Sequence, residues 1–149
     1  MARLVSTPAR QPTPKTELVQ TTSMSEQSMN NVDRAADEQR SAASTARVRA
    51  LNDRFRQTGE GGRMVMTAGI AALPRDEQRA IVAAVQAFEA FDPGDDPYGE
   101  HDFGALRIGA NRVMFKIDTY DRSERVHSPD PSDPAVTCRV LTIMLAEEY

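Results

Sequence analysis

The chain has no tryptophan, a single cysteine, and only three tyrosines and five phenylalanines among 149 residues. Cys138 alone cannot form an internal disulfide, so stability must come from burial, as suits a reducing compartment. There is no apolar run of about 18 residues, which excludes a membrane-spanning helix. The first twenty residues contain Pro8, Pro12 and Pro14 and no continuous apolar stretch, so neither a secretory leader nor a membrane partner is expected. A cytoplasmic location follows as the default expectation. The formal charge of -4 argues against a generally basic nucleic-acid binder. Ligand-spaced cysteine and histidine pairs, phosphate-cradling glycine loops and nucleophile-base motifs are all missing, so no cofactor and no metal is expected.

Length allows one ordinary domain. Residues 1–45 are rich in Ser, Thr, Gln, Pro and Ala, and their charges cancel, with Arg3, Arg10, Lys15, Arg34 and Arg40 against Glu17, Glu26, Asp33, Asp37 and Glu38. Such a segment buries too little to offset the entropy of ordering it, and it reads as a disordered or weakly helical tail. The globular domain is expected over 46–149. There Val48, Leu51 and Phe55 recur at helical spacing and Gly59 closes the stripe. Residues from Asn31 onward could extend this helix toward its N-terminus. A short strand is predicted from Gly62 to Thr67. A second helix begins near Pro74, carries Asp76 and Glu77 in its first turn, buries Ile81, Val85 and Phe88, and ends before Pro93.

Phe103 to Ile108 and Arg112 to Tyr120 flank Gly109-Ala110-Asn111, a composition for a three-residue hairpin loop. Along the second strand Val113, Phe115 and Ile117 face the core, and Met114, Lys116, Asp118 and Tyr120 face the other way. The connection from Asp121 to Thr137 is long and stiffened by Pro129, Pro131 and Pro134. One helical turn near Pro134 and then a strand from Arg139 complete the chain. The predicted class is α+β, with two helices packed on one face of a small antiparallel sheet of about four strands.

Between the second helix and the hairpin, Phe91 to Gly104 holds five carboxylates, one histidine and five Pro or Gly residues in fourteen positions. Within it the string Tyr98-Gly99-Glu100-His101-Asp102-Phe103-Gly104, together with Lys116, Asp118, Tyr120 and Asp121 and the terminal run Arg139 to Tyr149, resembles the bacterial family called domain of unknown function 3768. The resemblance runs from about Val48 to Tyr149. It implies a domain boundary and an accessory role in bacteria, and it brings no activity. Asp95 and Thr119 depart from the pattern, since an asparagine and an aromatic are common there.

If Glu100 to Phe103 is extended, Glu100 and Asp102 share one side about 7 Å apart and His101 shares the other with Phe103. Such a pair suits acid-base work or, with Asp95 or Asp96, a hard cation. Acids beside Pro and Gly also make ordinary solvated turns. His127 would join His101 only if the long loop folds back. Cys138 on an apolar strand reads as a small buried hydrophobe. On helical projection Arg47 and Arg54 lie near about 260° and 240° from Val48, and Arg49 and Arg56 near about 100° and 80°. Two columns flanking a buried stripe suit snorkelling side chains better than one basic face, so nucleic acid is a partner that the sequence does not favour. The favoured reading is a non-enzymatic module that binds a protein partner through Asp96, Tyr98, Glu100, His101, Asp102, Lys116, Asp118, Tyr120 and His127. Its rivals are a small hydrolase or nuclease using Glu100, His101 and Asp102, and a nucleic-acid-directed accessory factor.

Overall fold

The computed structural model describes residues 17–149, with side chains from residue 26 onward. Helix α1 spans Glu17–Thr58, so most of the expected tail is helical. The part of that expectation that falls on residues 1–16 lies outside the described residues. By internal contacts the chain divides into Met1–Gln39 and Arg40–Tyr149. In the described part of the first unit the helix is polar, and Arg34 pairs with Glu38 one turn on at 3.1 Å.

In the second unit α1 carries Val48 and Phe55 as buried residues. It stops where expected. Gly59 takes a left-handed φ of 77°, and its N–H closes on the Phe55 carbonyl at 2.7 Å, a termination that glycine allows without steric cost. Strand β1 (Gly62–Met66), the short helix α2 (Ala68–Ala71), helix α3 (Arg75–Gln86), and strands β2 (Phe103–Ile108), β3 (Asn111–Tyr120) and β4 (Cys138–Leu145) follow, then a 3-10 turn at Ala146–Glu148.

The sheet order is β1-β4-β3-β2. β2, β3 and β4 form the expected antiparallel meander. β1 runs parallel to β4, from Gly62 beside Arg139 to Met66 beside Ile143, so the sheet is mixed where an antiparallel one was predicted. The reason is the route of the chain: the α2, α3 and hairpin segment between β1 and β4 is long enough to return the last strand in the direction of the first. The β2-β3 hairpin is also tighter than predicted. Ile108 pairs with Asn111, leaving Gly109, with φ 57°, and Ala110 as its loop. Near Pro134 the chain makes a turn instead of a helical one, with the Asp133 carboxylate accepting the Ala135 N–H at 2.9 Å.

The alternation read from β3 holds: Val113, Phe115 and Ile117 are buried, and register places them beside Leu145, Ile143 and Leu141 on one face. With Phe55, Ile70, Ile81 and Val85, most of these form the buried cluster. Gly104 lies opposite Phe115. A Cβ there would overlap the Phe115 ring and come within 2.8 Å of Phe88. Among the described residues no helix is long and apolar enough to cross a membrane.

Because both rings press on Gly104 from inside the core, Gly104→Ala should lower stability by about 1–3 kcal/mol, read as a reduced urea midpoint with an unchanged slope. Wild-type stability in that variant would mean that the packing around Phe115 is looser than described.

Candidate functional site

The acidic turn is built from its own first residues. The Asp92 carboxylate accepts the Gly94 N–H at 2.7 Å, and its carbonyl accepts the N–H groups of Asp95 and Asp96 at 3.0 and 2.7 Å. Asp96 then turns inward. Only 6% exposed, it accepts the backbone N–H of Glu100 at 3.0 Å and that of His101 at 3.2 Å, one on each carboxylate oxygen. This fixes the bend so that His101 sits at φ 55°, unusual outside glycine. The strand begins at Phe103 as predicted, and the conditional extension back through Glu100, which would have set His101 on the side of Phe103, is interrupted by this bend.

What His101 meets instead comes from α1. Its Nδ1 lies 2.9 and 3.0 Å from the two carboxylate oxygens of Asp53. Its ring stacks on Phe91 with centroids 3.8 Å apart and planes within 2°. Phe91 in turn meets Phe88 edge-on at 4.9 Å and Phe115 at 6.3 Å, so an aromatic series links the core to the turn. Asp53 is also held at 3.0 Å by Arg56, which is almost completely buried. Arg56 donates to the carbonyls of Val85 and Gln86, both at 3.0 Å, and so caps the C-terminus of α3, where a cation suits the helix dipole. Its guanidinium lies 5.2 Å from the Phe91 ring centroid. Arg56 Nε is buried without a hydrogen-bond partner among the described residues, a cost that the capping bonds and the ion pair offset.

One turn earlier, the buried Asn52 amide donates to the Glu100 carbonyl at 3.0 Å and accepts from Arg139 Nε at 2.9 Å. Arg139 also donates to the Pro131 carbonyl. Arg49 reaches the Gly99 carbonyl at 3.2 Å, and Arg47 the Ser132 carbonyl at 2.8 Å. α1 thus ties down both the acidic turn and the proline-rich loop. Arg47 and Arg54 do project in one column and Arg49 and Arg56 in another, but Arg56 is buried in an ion pair instead of snorkelling along the core edge. Arg54 pairs with Glu60 at 3.0 Å.

The predicted residues fall into two groups. Asp96, Glu100, His101 and Asp102 gather at one rim of the sheet with the unpredicted Asn52, Asp53, Arg56 and Arg139. Lys116, Asp118 and Tyr120 lie on the face opposite the core residues of β3, where Lys116 pairs with Asp118 at 3.1 Å. His127 bridges to Tyr120, and their rings stack at 6.3 Å with planes 3° apart. His127 therefore does not join His101. Tyr98 is 77% exposed and stands outside both groups. Among the described residues no three His, Cys, Asp or Glu side chains converge to hold a metal ion.

Electrostatics mark the first group. Burial pushes the Glu100 carboxyl above its ordinary range, the charges of Asp102 and Asp96 push it the same way, and Arg139 opposes them. Burial raises Asp102 too, followed by Asp96, while the charge of Asp118 adds a smaller push. Arg139 is drawn below its usual range by burial, against the pull of Glu100. On the other face the hydrogen bond to Asp118 raises Lys116.

A carboxyl raised in the folded state binds protons that the unfolded chain has released. Between the two pKa values stability therefore falls as pH rises, and above both the penalty is constant. Glu100→Gln with Asp102→Asn should accordingly raise the melting temperature by about 2 °C at pH 7, after allowance for solvent screening, with the gain fading toward about pH 4. A double variant that melts lower at pH 7, or whose effect does not change with pH, would contradict this balance.

A protein-family model matches residues 66–148, a narrower span than the resemblance expected from Val48, so the α1 half of the buried network lies upstream of it. No curated protein and no solved structure matches the chain significantly. The matched span takes in α2, α3, the acidic turn and the last three strands, over half the sequence, and the chain belongs to the family described as Protein of unknown function (DUF3768).

Proposed function

We propose that the domain is a non-enzymatic protein-interaction module, part of a bacterial cytoplasmic accessory protein. Its contact surface is the rim that carries Tyr98 and the row of Lys116, Asp118, Tyr120 and His127. Asp96, Glu100, His101 and Asp102 act as the buttress beneath it. The observation that carries this reading is Tyr98: an aromatic residue 77% exposed on a turn whose next carbonyl is gripped by Arg49 and whose flanks are fixed by Asp96. An exposed aromatic side chain on a rigid support loses little further entropy on binding and has the character of an interface anchor. Val126, 62% exposed, stands beside His127 on a loop braced by the Asp121 carboxylate, which accepts the Ser123 hydroxyl at 2.8 Å and the Arg125 N–H at 3.0 Å. Arg47 and Arg54, the residues of the nucleic-acid reading, bond the Ser132 carbonyl and Glu60 within the chain, which adds no support to that reading.

Full-length wild-type protein and Tyr98→Ala, used side by side as baits in native lysate, should differ by at least one protein that only the wild type retains. The two should melt within about 1 °C of each other, as expected for an exposed substitution. Identical captured sets would overturn the reading, and a large drop in melting temperature would make Tyr98 a structural residue.

The small hydrolase or nuclease reading keeps one specific observation. Asp53 holds His101 by Nδ1, which leaves Nε2 as the ring nitrogen available for proton transfer, with Glu100 and Asp102 next to it in sequence and their carboxyls pushed above the ordinary range by burial. Under that reading, ester or phosphodiester hydrolysis by the purified chain falls by at least about 100-fold in His101→Gln with the fold intact. A rate that is absent in the wild type or unchanged in the variant removes it.

A further inference from the structure

A groove of about 630 Å³ runs along α3, away from every residue discussed above as a site. Its floor is apolar, made by Met66 at the end of β1, Leu73 between α2 and α3, and Val82. Met66 is 37% exposed there. Gln78 fixes the wall. Its amide donates to the carbonyls of Ala71 and Leu73 at 3.0 and 2.8 Å, so the α2-α3 connection is pinned to α3.

Arg75 and Arg79 stand on the groove at one end of α3. Both are exposed, and among the described residues neither has an ion-pair or hydrogen-bond partner. Two features make the pair unfavourable for the helix itself. Like charges four residues apart repel, and cations in the opening turns oppose the helix dipole. Asp76 and Glu77 share that first turn but do not line the groove, and the Glu77 carboxylate accepts the Asn111 amide at 3.0 Å. The charged side chains that line the groove are thus both cationic, beside Met66, Leu73 and Val82, in a chain whose net charge is -4.

We infer that this groove binds an acidic amphipathic helix of a protein partner, its apolar stripe on Met66, Leu73 and Val82 and its carboxylates on Arg75 and Arg79. This deepens the protein-interaction reading and rests on it. Shape favours a helix over a small ligand. The groove follows a helix of 12 residues, about 17 Å long, and it is open along its exposed residues, whereas a small-molecule site encloses most of its ligand. Apolar anchors at one helical face with charge matched at the rim are the usual terms of such docking.

The test uses the full chain, methyl-labelled, titrated with a synthetic helix of about fourteen residues that carries leucines at i, i+3, i+4 and i+7 and glutamates between them. A permuted peptide of the same composition without the stripe, and decanoate, serve as comparisons. Saturable shifts at Met66, Leu73 and Val82 are expected, with the dissociation constant weakened at least about tenfold in the Arg75→Glu, Arg79→Glu double variant, whose exposed substitutions leave the fold intact. Equal binding of the permuted peptide, tighter binding of decanoate, shifts elsewhere, or indifference to the double variant would each overturn the assignment. Tyr98→Ala should leave this titration unchanged. If the helix fails to bind while the Tyr98-dependent capture persists, the groove assignment alone falls; loss of both defeats the interaction reading itself.

Discussion

A buried guanidinium is the constraint around which the second unit is arranged. Arg56 must have its charge answered, since an unpaired buried cation is strongly destabilising, and its two terminal nitrogens are occupied. The answer draws three separate pieces of chain together: Asp53 on its own helix, the carbonyl end of α3 and the face of Phe91. Asp53 in turn reaches His101 and so extends the network into the acidic turn. Removing Asp53 would leave the buried Arg56 without its counter-charge, so the position of α1 against the turn is specified by polar geometry as well as by apolar area.

That constraint divides the polar residues by use. In the acidic turn Asp96 faces inward onto two backbone amides and His101 is held by α1; those on the opposite sheet face pair shallowly with one another and remain accessible. Two of the five acids between Phe91 and Gly104, Asp92 and Asp96, build the tight bend that has a positive φ at His101. Its exposed product is Tyr98. Partial burial of Glu100 and Asp102 near Asp96 is a cost of that construction, and the Arg139 charge offsets part of it.

The sequence made the apolar architecture legible because periodicity is a direct image of burial. Val113, Phe115 and Ile117 alternate, Ile81 and Val85 recur at helical spacing, and Gly59 ends a stripe, and each appears as expected. Strand direction was not legible. β1 has no local signal that would separate a parallel partner from an antiparallel one, because the partner lies far along the chain. The buried polar network escaped for a different reason: Asn52, Asp53, Arg56 and Arg139 are residue types that usually face water. A signal did exist. Asn52 projects about 40° from Val48, within the apolar stripe of α1, and Arg139 opens an otherwise apolar strand; a polar residue on a buried face implies a partner. The sequence leaves conditional whether the backbone is extended through His101, and the Asp96 carboxylate bends it there.

The parallel pairing of β1 with β4 has a consequence for how the molecule is made. Gly62 finds its neighbour only when Arg139 has been synthesised, so during translation the first strand waits as an unpaired edge while the hairpin of β2 and β3 can already close on itself. Long loop closures of this kind raise contact order and slow folding. The nascent domain thus has a late, all-or-none commitment, in which docking of the final strand zips the sheet from both sides at once, and a ribosome stalled before β4 would release a chain with its core still open.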